Sequence, residues 1–259
     1  MKMMVDKRFT FNEDTNNYEQ WRPTYCHELF KDIIEYSQIE QGKKAIEIGI
    51  GTGQATKPFL DTGCELTAIE LGKDLANYSK LKFLEYENFT VRNTAFEEFE
   101  CPDDSIDLIY SATAFHWIPE ETGYSKVLKL LKTDGTLALF WNRPFVSRES
   151  DELHQNIQNI YQKYRPSSTE IKEHDIDKYE CRKKTIEAYG FREMVFKLYH
   201  VTRTFSSTDY IALLNTYSDH RTMPSSTRVL FENEIKEAIL RFGDVIYVYD
   251  TIDLYVAKK

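Results

Sequence analysis

The 259-residue chain predicts an α/β fold: a mostly parallel sheet covered by helices on both faces. Three observations carry that prediction. Short apolar runs alternate with stretches of helical period from Lys43 to Trp141. Hydrophobic residues make up 41% of the chain and aromatic ones 14%, enough for a sizeable core. A glycine-rich turn, Gly49-Ile50-Gly51-Thr52-Gly53, follows the first apolar run directly, as a strand-to-ligand turn requires.

The elements follow in order. Residues 1–20 are polar and read as an arm. Leu29, Phe30, Ile33, Ile34 and Tyr36 then repeat at close to 3.6 residues and predict a helix. Strands are expected at Lys44–Ile48, Glu65–Glu70, Phe89–Asn93, Ser105–Ser111 and Thr136–Trp141. Helices are expected from Gln54 towards Leu60, at Asp74–Lys80 and at Gly123–Lys132, the last stopping at Asp134-Gly135. Beyond Arg143 the pattern turns helical, over Glu149–Tyr164 and from a cap at Pro166-Ser167-Ser168-Thr169 to about Tyr189. Val195–Thr204 alternates as a strand, Ser206-Ser207-Thr208-Asp209 opens a helix, Pro224–Phe242 holds another, and Val245–Val256 closes as a strand. Two late strands complete a seven-stranded sheet whose last strand is antiparallel. No repeat or linker splits the chain, so 1–259 reads as one domain: arm and helix over 1–40, core over 41–143, and lid helices with the last two strands over 144–259.

A formal net charge of −9 without a basic stripe disfavours phosphate backbones, so no nucleic-acid partner is expected. Cys26, Cys64, Cys101 and Cys181 are scattered, with no C-x-x-C pair and no histidine at ligand spacing, which reads as reduced thiols and no metal. Met1–Lys7 meets charge too early for a signal peptide, and no run approaches the ~18 apolar residues of a membrane span. A soluble, cytoplasmic protein is the expectation.

The glycines of a dinucleotide turn fall as G-x-G-x-x-G; here Gly53 arrives one position early and Gln54 stands where the last glycine belongs. Glu47 points the same way, since a carboxylate repels a diphosphate but favours an ammonium or sulfonium. Glu70, ending the second strand a little under ~20 residues after the turn, stands where an acid accepts ribose hydroxyls, with Leu71 beside it for adenine. Glu70 serves a nicotinamide cofactor equally well.

The run Glu47-Ile48-Gly49-Ile50-Gly51-Thr52-Gly53, with Ser111-Ala112-Thr113-Ala114-Phe115-His116-Trp117 after strand four, resembles the class I S-adenosylmethionine-dependent methyltransferases, in the small-molecule branch near trans-aconitate methyltransferase. The resemblance covers roughly residues 40 to 142 and implies a Rossmann-like fold with S-adenosylmethionine as cofactor. It further implies adenine contacts at Thr94, Ala95 and Phe96, with Thr94 where the family commonly has Asp. Ser111 and Thr113 would line the methionine end. His116 and Trp117 would border the acceptor, His116 reading either as a proton acceptor or as packing. Arg143 reads either as a substrate-carboxylate clamp or as a surface-paired loop arginine. Tyr18, Trp21, Arg22 and Tyr25 lie on a segment that could fold over the cofactor or simply cap and pack a helix. The expected function is methyl transfer to a small molecule by in-line displacement. The rivals are a nicotinamide oxidoreductase and a non-catalytic cofactor-binding relative. Acceptor and oligomeric state are not legible.

Overall fold

The computed structural model describes residues 19–145, 150–166 and 176–259; Tyr18 and the predicted cap at Ser167–Thr169 lie outside them. In order, the elements are α1 (His27–Ser37), β1 (Lys44–Ile48), α2 (Lys57–Leu60), β2 (Glu65–Glu70), α3 (Lys73–Lys82), β3 (Phe89–Asn93), β4 (Ile106–Ala112), α4 (Glu120–Leu130) and β5 (Leu131–Phe145). They continue with α5 (Glu152–Tyr164), α6 (Ile176–Ala188), β6 (Arg192–Phe205), α7 (Ser207–Leu214), α8 (Ser218–Arg221), α9 (Ser225–Arg241) and β7 (Ile246–Lys258). The strands form one seven-stranded sheet in the order β3-β2-β1-β4-β5-β7-β6. Only β7 runs antiparallel to its neighbours, as expected of the closing strand.

The central strands are buried on both faces because helices cover both. On one side α1 places Leu29, Phe30 and Ile33 against Phe59, Tyr110 and Phe140. On the other, Tyr124, Val127 and Leu130 of α4 and Tyr179 and Ile186 of α6 cover Ile46, Ile109, Leu139 and Trp141. A third cluster, led by Leu153, Ile157, Leu213, Phe231 and Ile235, joins α5, α7 and α9 over the ends of β6 and β7.

Two elements differ from expectation. The helix predicted from Gln54 begins at Lys57 and spans four residues. Gly51 and Gly53 have φ of 59° and 84°, outside helical space, so 51–56 form turns and the helix begins only at Lys57. Strand β5 is longer than predicted, continuing to Phe145 because β7 pairs it as far as Tyr249. Its pairing with β4 ends at Phe140, so Pro144 leaves no ladder bond to β4 unmade.

Candidate functional site

β1 and β4 are neighbours at the point where the strand order reverses, and a crevice opens at their carboxyl ends. Its larger part spans about 790 Å³ of space that opens to solvent. Gly49 and Gly51 form its floor, with Glu70, Leu71, Thr94, Ala95, Phe96, Thr113 and Trp117 around it.

Gly49 has φ +73°, and a Cβ there would come within 2.4 Å of the Ala114 Cβ, so only glycine lets the turn lie under the loop after β4. Gly53 serves packing instead: its Cβ would strike the Phe83 ring at 2.4 Å, and it lines no part of the crevice. Glu70 is buried and accepts from the amides of Gly51 at 2.9 Å and Gly72 at 2.8 Å. Burial raises its pKa, against the pull of those backbone N–H groups. Asn93 ties the wall together by donating to the carbonyls of Glu70 and Leu71.

A smaller part of the crevice, about 490 Å³, lies on the α1 side between Arg22, Tyr25, Glu47, Gln54, Asn142 and Tyr217. Arg22 walls both parts, donates to the Thr216 carbonyl at 2.8 Å and lies 4.9 Å from the Tyr217 ring centre. The Tyr25 hydroxyl meets Thr113 Oγ1 at 2.8 Å, and the Asn142 amide donates to the same oxygen at 3.1 Å. Gln54 donates its side-chain amide to Thr52 Oγ1 and Glu19. Trp21 is directed away, packing 6.2 Å from Phe205, and lines neither part.

Glu47 is fully covered and accepts from Thr56 Oγ1 at 2.7 Å and the Tyr110 hydroxyl at 2.9 Å. Burial pushes its pKa up to about 8, the two hydroxyls opposing. The folded state therefore holds a proton that the unfolded chain has released, and Glu47 makes stability decline as pH rises from 4.5 to about 8. Glu47→Gln removes that contribution. Calorimetric melting of the variant should show a flatter decline across this window than the parent chain, and parallel slopes would contradict the assignment.

Three further predicted residues are placed elsewhere. Ser111 is buried, donates to the Ile48 carbonyl at 2.9 Å and lines no part of the crevice; it stitches β4 to β1. Arg143 makes a two-point pair with Asp253, Nε–Oδ1 at 3.0 Å and Nη2–Oδ2 at 3.1 Å, so the fold and not a substrate carboxylate occupies its guanidinium. His116 keeps accessible surface but lines neither part, and its Nδ1 accepts from Trp141 Nε1 at 3.1 Å. Crowding of the ring by protein, then the guanidiniums of Arg182 and Arg143, lower its pKa to about 4. A neutral imidazole with Nδ1 occupied carries its proton on Nε2 and has no lone pair free for a substrate. His116→Gln should cost less than about threefold in kcat, against the ~10²–10⁴-fold of a general base. A hundredfold loss with a shifted pH–rate profile would restore His116 to the chemistry.

The sequence reading assigns no site role to Asn142 or Tyr217. The signal for Asn142 was the two-residue period of β5: Asn142 shares the face of Phe140, while Arg143 shares that of Trp141.

Residues 46–139 match the methyltransferase domain family. An uncharacterised methyltransferase of Schizosaccharomyces pombe is 23% identical over 231 residues, 89% of this chain and 87% of its own length. Among solved structures, an Anaeromyxobacter dehalogenans protein assigned as a type II methyltransferase superposes with a TM-score of 0.60 at 15% identity, covering 92% of this chain and 97% of that one. Phosphoethanolamine N-methyltransferase 2 of Haemonchus contortus, in complex with phosphomonomethylethanolamine and S-adenosylhomocysteine, superposes at 0.58 with 12% identity, over all of this chain and 61% of its own. None of these narrows the match to the trans-aconitate branch. The domain match over the strands that build the crevice, with methyltransferases among the relatives, supports a class I S-adenosylmethionine-dependent methyltransferase.

Proposed function

We propose that the chain methylates a small molecule held in the smaller part of the crevice, with the methyl donor in the larger. One observation carries this reading: the two parts share Arg22, Gly49, Ala112 and Thr113, so a donor in one and an acceptor in the other would meet at the turn after β1. The residues present fit the cofactor. Gly49 leaves open backbone that a side chain would fill, and Glu70 offers a buried carboxylate to ribose hydroxyls. Leu71, Ala95 and Phe96 give adenine an apolar wall, Thr94 and Thr113 polar edges, and Arg22 a cation for the methionine carboxylate.

When bound, S-adenosylmethionine supplies an electrophilic methyl that passes to an acceptor lone pair by in-line displacement, the C–S electron pair remaining on sulfur. The chain's own part is alignment and exclusion of water. Glu47 and Gln54 border the smaller part, and Trp117 closes the larger one. Among the described residues no helix is long and apolar enough to cross a membrane.

A tritiated-methyl assay tests the reading. Incubated with labelled S-adenosylmethionine and a cell extract split by size, the protein should transfer label to the low-mass fraction. Label confined to protein or nucleic acid would overturn the small-molecule assignment.

A further inference from the structure

Asn142 lies at the wall of the smaller part of the crevice and is 8% exposed. Its Nδ2 donates to Asp250 Oδ1 at 3.0 Å. Asp250, 3% exposed, is gripped in turn by Arg203, whose Nε and Nη2 both donate to the carboxylate. A carboxylate paired with arginine accepts and does not donate, so the Asn142 amide can face it only through nitrogen. The side-chain carbonyl is thereby fixed on the other side, and among the described residues nothing donates to Asn142 Oδ1. A buried carbonyl without a donor is unusual in a folded chain and marks a place where a ligand completes the bonding. Fixing an amide with an ion pair also removes the rotation that would let it switch from acceptor to donor.

The arginines on either face of β5 and beside the crevice are engaged. Arg143 is held by Asp253 on the opposite face of β5, Arg203 is held by Asp250, and Arg22 is assigned above to the methionine carboxylate. What Asn142 adds to this wall is an acceptor.

We propose that Asn142 Oδ1 is a specificity contact for the methyl acceptor, selecting molecules that present a hydroxyl or amine N–H and disfavouring ionised carboxylates, with Asp250 and Arg203 as positioning residues. This rests on the reading of the smaller part as the acceptor site. Its physical basis is asymmetric: a donor satisfies the buried carbonyl, whereas an ether or a carboxylate leaves it unmet and adds lone-pair repulsion.

The test uses the full chain saturated with S-adenosylhomocysteine and matched aromatic probes: benzyl alcohol, benzylamine, benzyl methyl ether and benzoate. Binding is followed by titrating the ¹⁵N–H₂ signal of Asn142, assigned by its loss in Asn142→Leu. Benzyl alcohol or benzylamine should bind at least about tenfold more tightly than the ether and benzoate, and should move the Asn142 signal. Asn142→Leu should abolish that preference while S-adenosylhomocysteine still raises its melting point, which shows that the variant folds. Asp250→Asn, which frees the amide to rotate, should weaken the preference without removing ether binding. Equal binding of all four probes, a preference for benzoate, a preference that survives in Asn142→Leu, or no binding of either donor probe would overturn the proposal. Failure of the parent chain to bind S-adenosylhomocysteine would instead overturn the reading of the larger part.

Discussion

Glu70→Ala is expected to weaken S-adenosylhomocysteine binding by about 100-fold, measured by isothermal titration. The carboxylate stands at the cleft wall with one oxygen bonded to Gly51 N and the other to Gly72 N, and each oxygen keeps a further lone pair for a ribose hydroxyl. Two hydrogen bonds to a charged group at ~1.5 kcal/mol each give about 3 kcal/mol, or roughly two decades. The substitution also strips the acceptor from two amides of the glycine turn, so the melting point of the free protein should fall as well. Glu70→Gln keeps one acceptor oxygen and should lose less. Unchanged affinity in Glu70→Ala would move the nucleoside away from this strand end.

Asp253→Ala carries the second large effect, on stability. Asp253 is fully buried on β7, bonded at two points to Arg143, with Arg182 Nη1 at 3.6 Å. Arg182 also stacks 3.6 Å from the Trp141 ring centre, so its guanidinium cannot withdraw without breaking that packing. Removing the only carboxylate among these contacts leaves two crowded cations facing each other, which for half-covered arginines costs about 3 kcal/mol. At ~2–4 °C per kcal/mol for a chain of this size, the melting point should drop by about 6–12 °C. Asp253→Asn, which keeps hydrogen-bond acceptance, should lose less. A drop below about 2 °C for Asp253→Ala would show the triad to be incidental to folding.

The sheet was legible because each apolar run is bounded by glycine, proline or acidic turns, and a run buried on both faces has few alternatives to a parallel strand. The donor half of the site was legible for a related reason: Gly49, Gly51 and Glu70 sit at fixed offsets along one βαβ unit. Gly53 shows the limit of that logic, since its spacing matches the motif while its missing Cβ makes room for Phe83. The smaller part of the crevice was less legible because it depends on which face of β5 each residue takes and on contacts from β6, β7 and the segments around α8. Arg143 reads from sequence either as a substrate clamp or as a paired arginine, and its bond to Asp253, 110 positions away, favours the pairing. Asn142 gained its role from Asp250 and Arg203, which no local pattern links to it. His116 likewise lost its role to a single long-range bond from Trp141.

The central claim is that the larger part of the crevice binds S-adenosylmethionine. Parallel calorimetric titrations of the parent chain with S-adenosylhomocysteine and with NAD test it most directly. One site for S-adenosylhomocysteine with a Kd of about 100 µM or tighter, and no heat with NAD beyond dilution, is the predicted result. Saturable NAD binding together with no response to S-adenosylhomocysteine would contradict it.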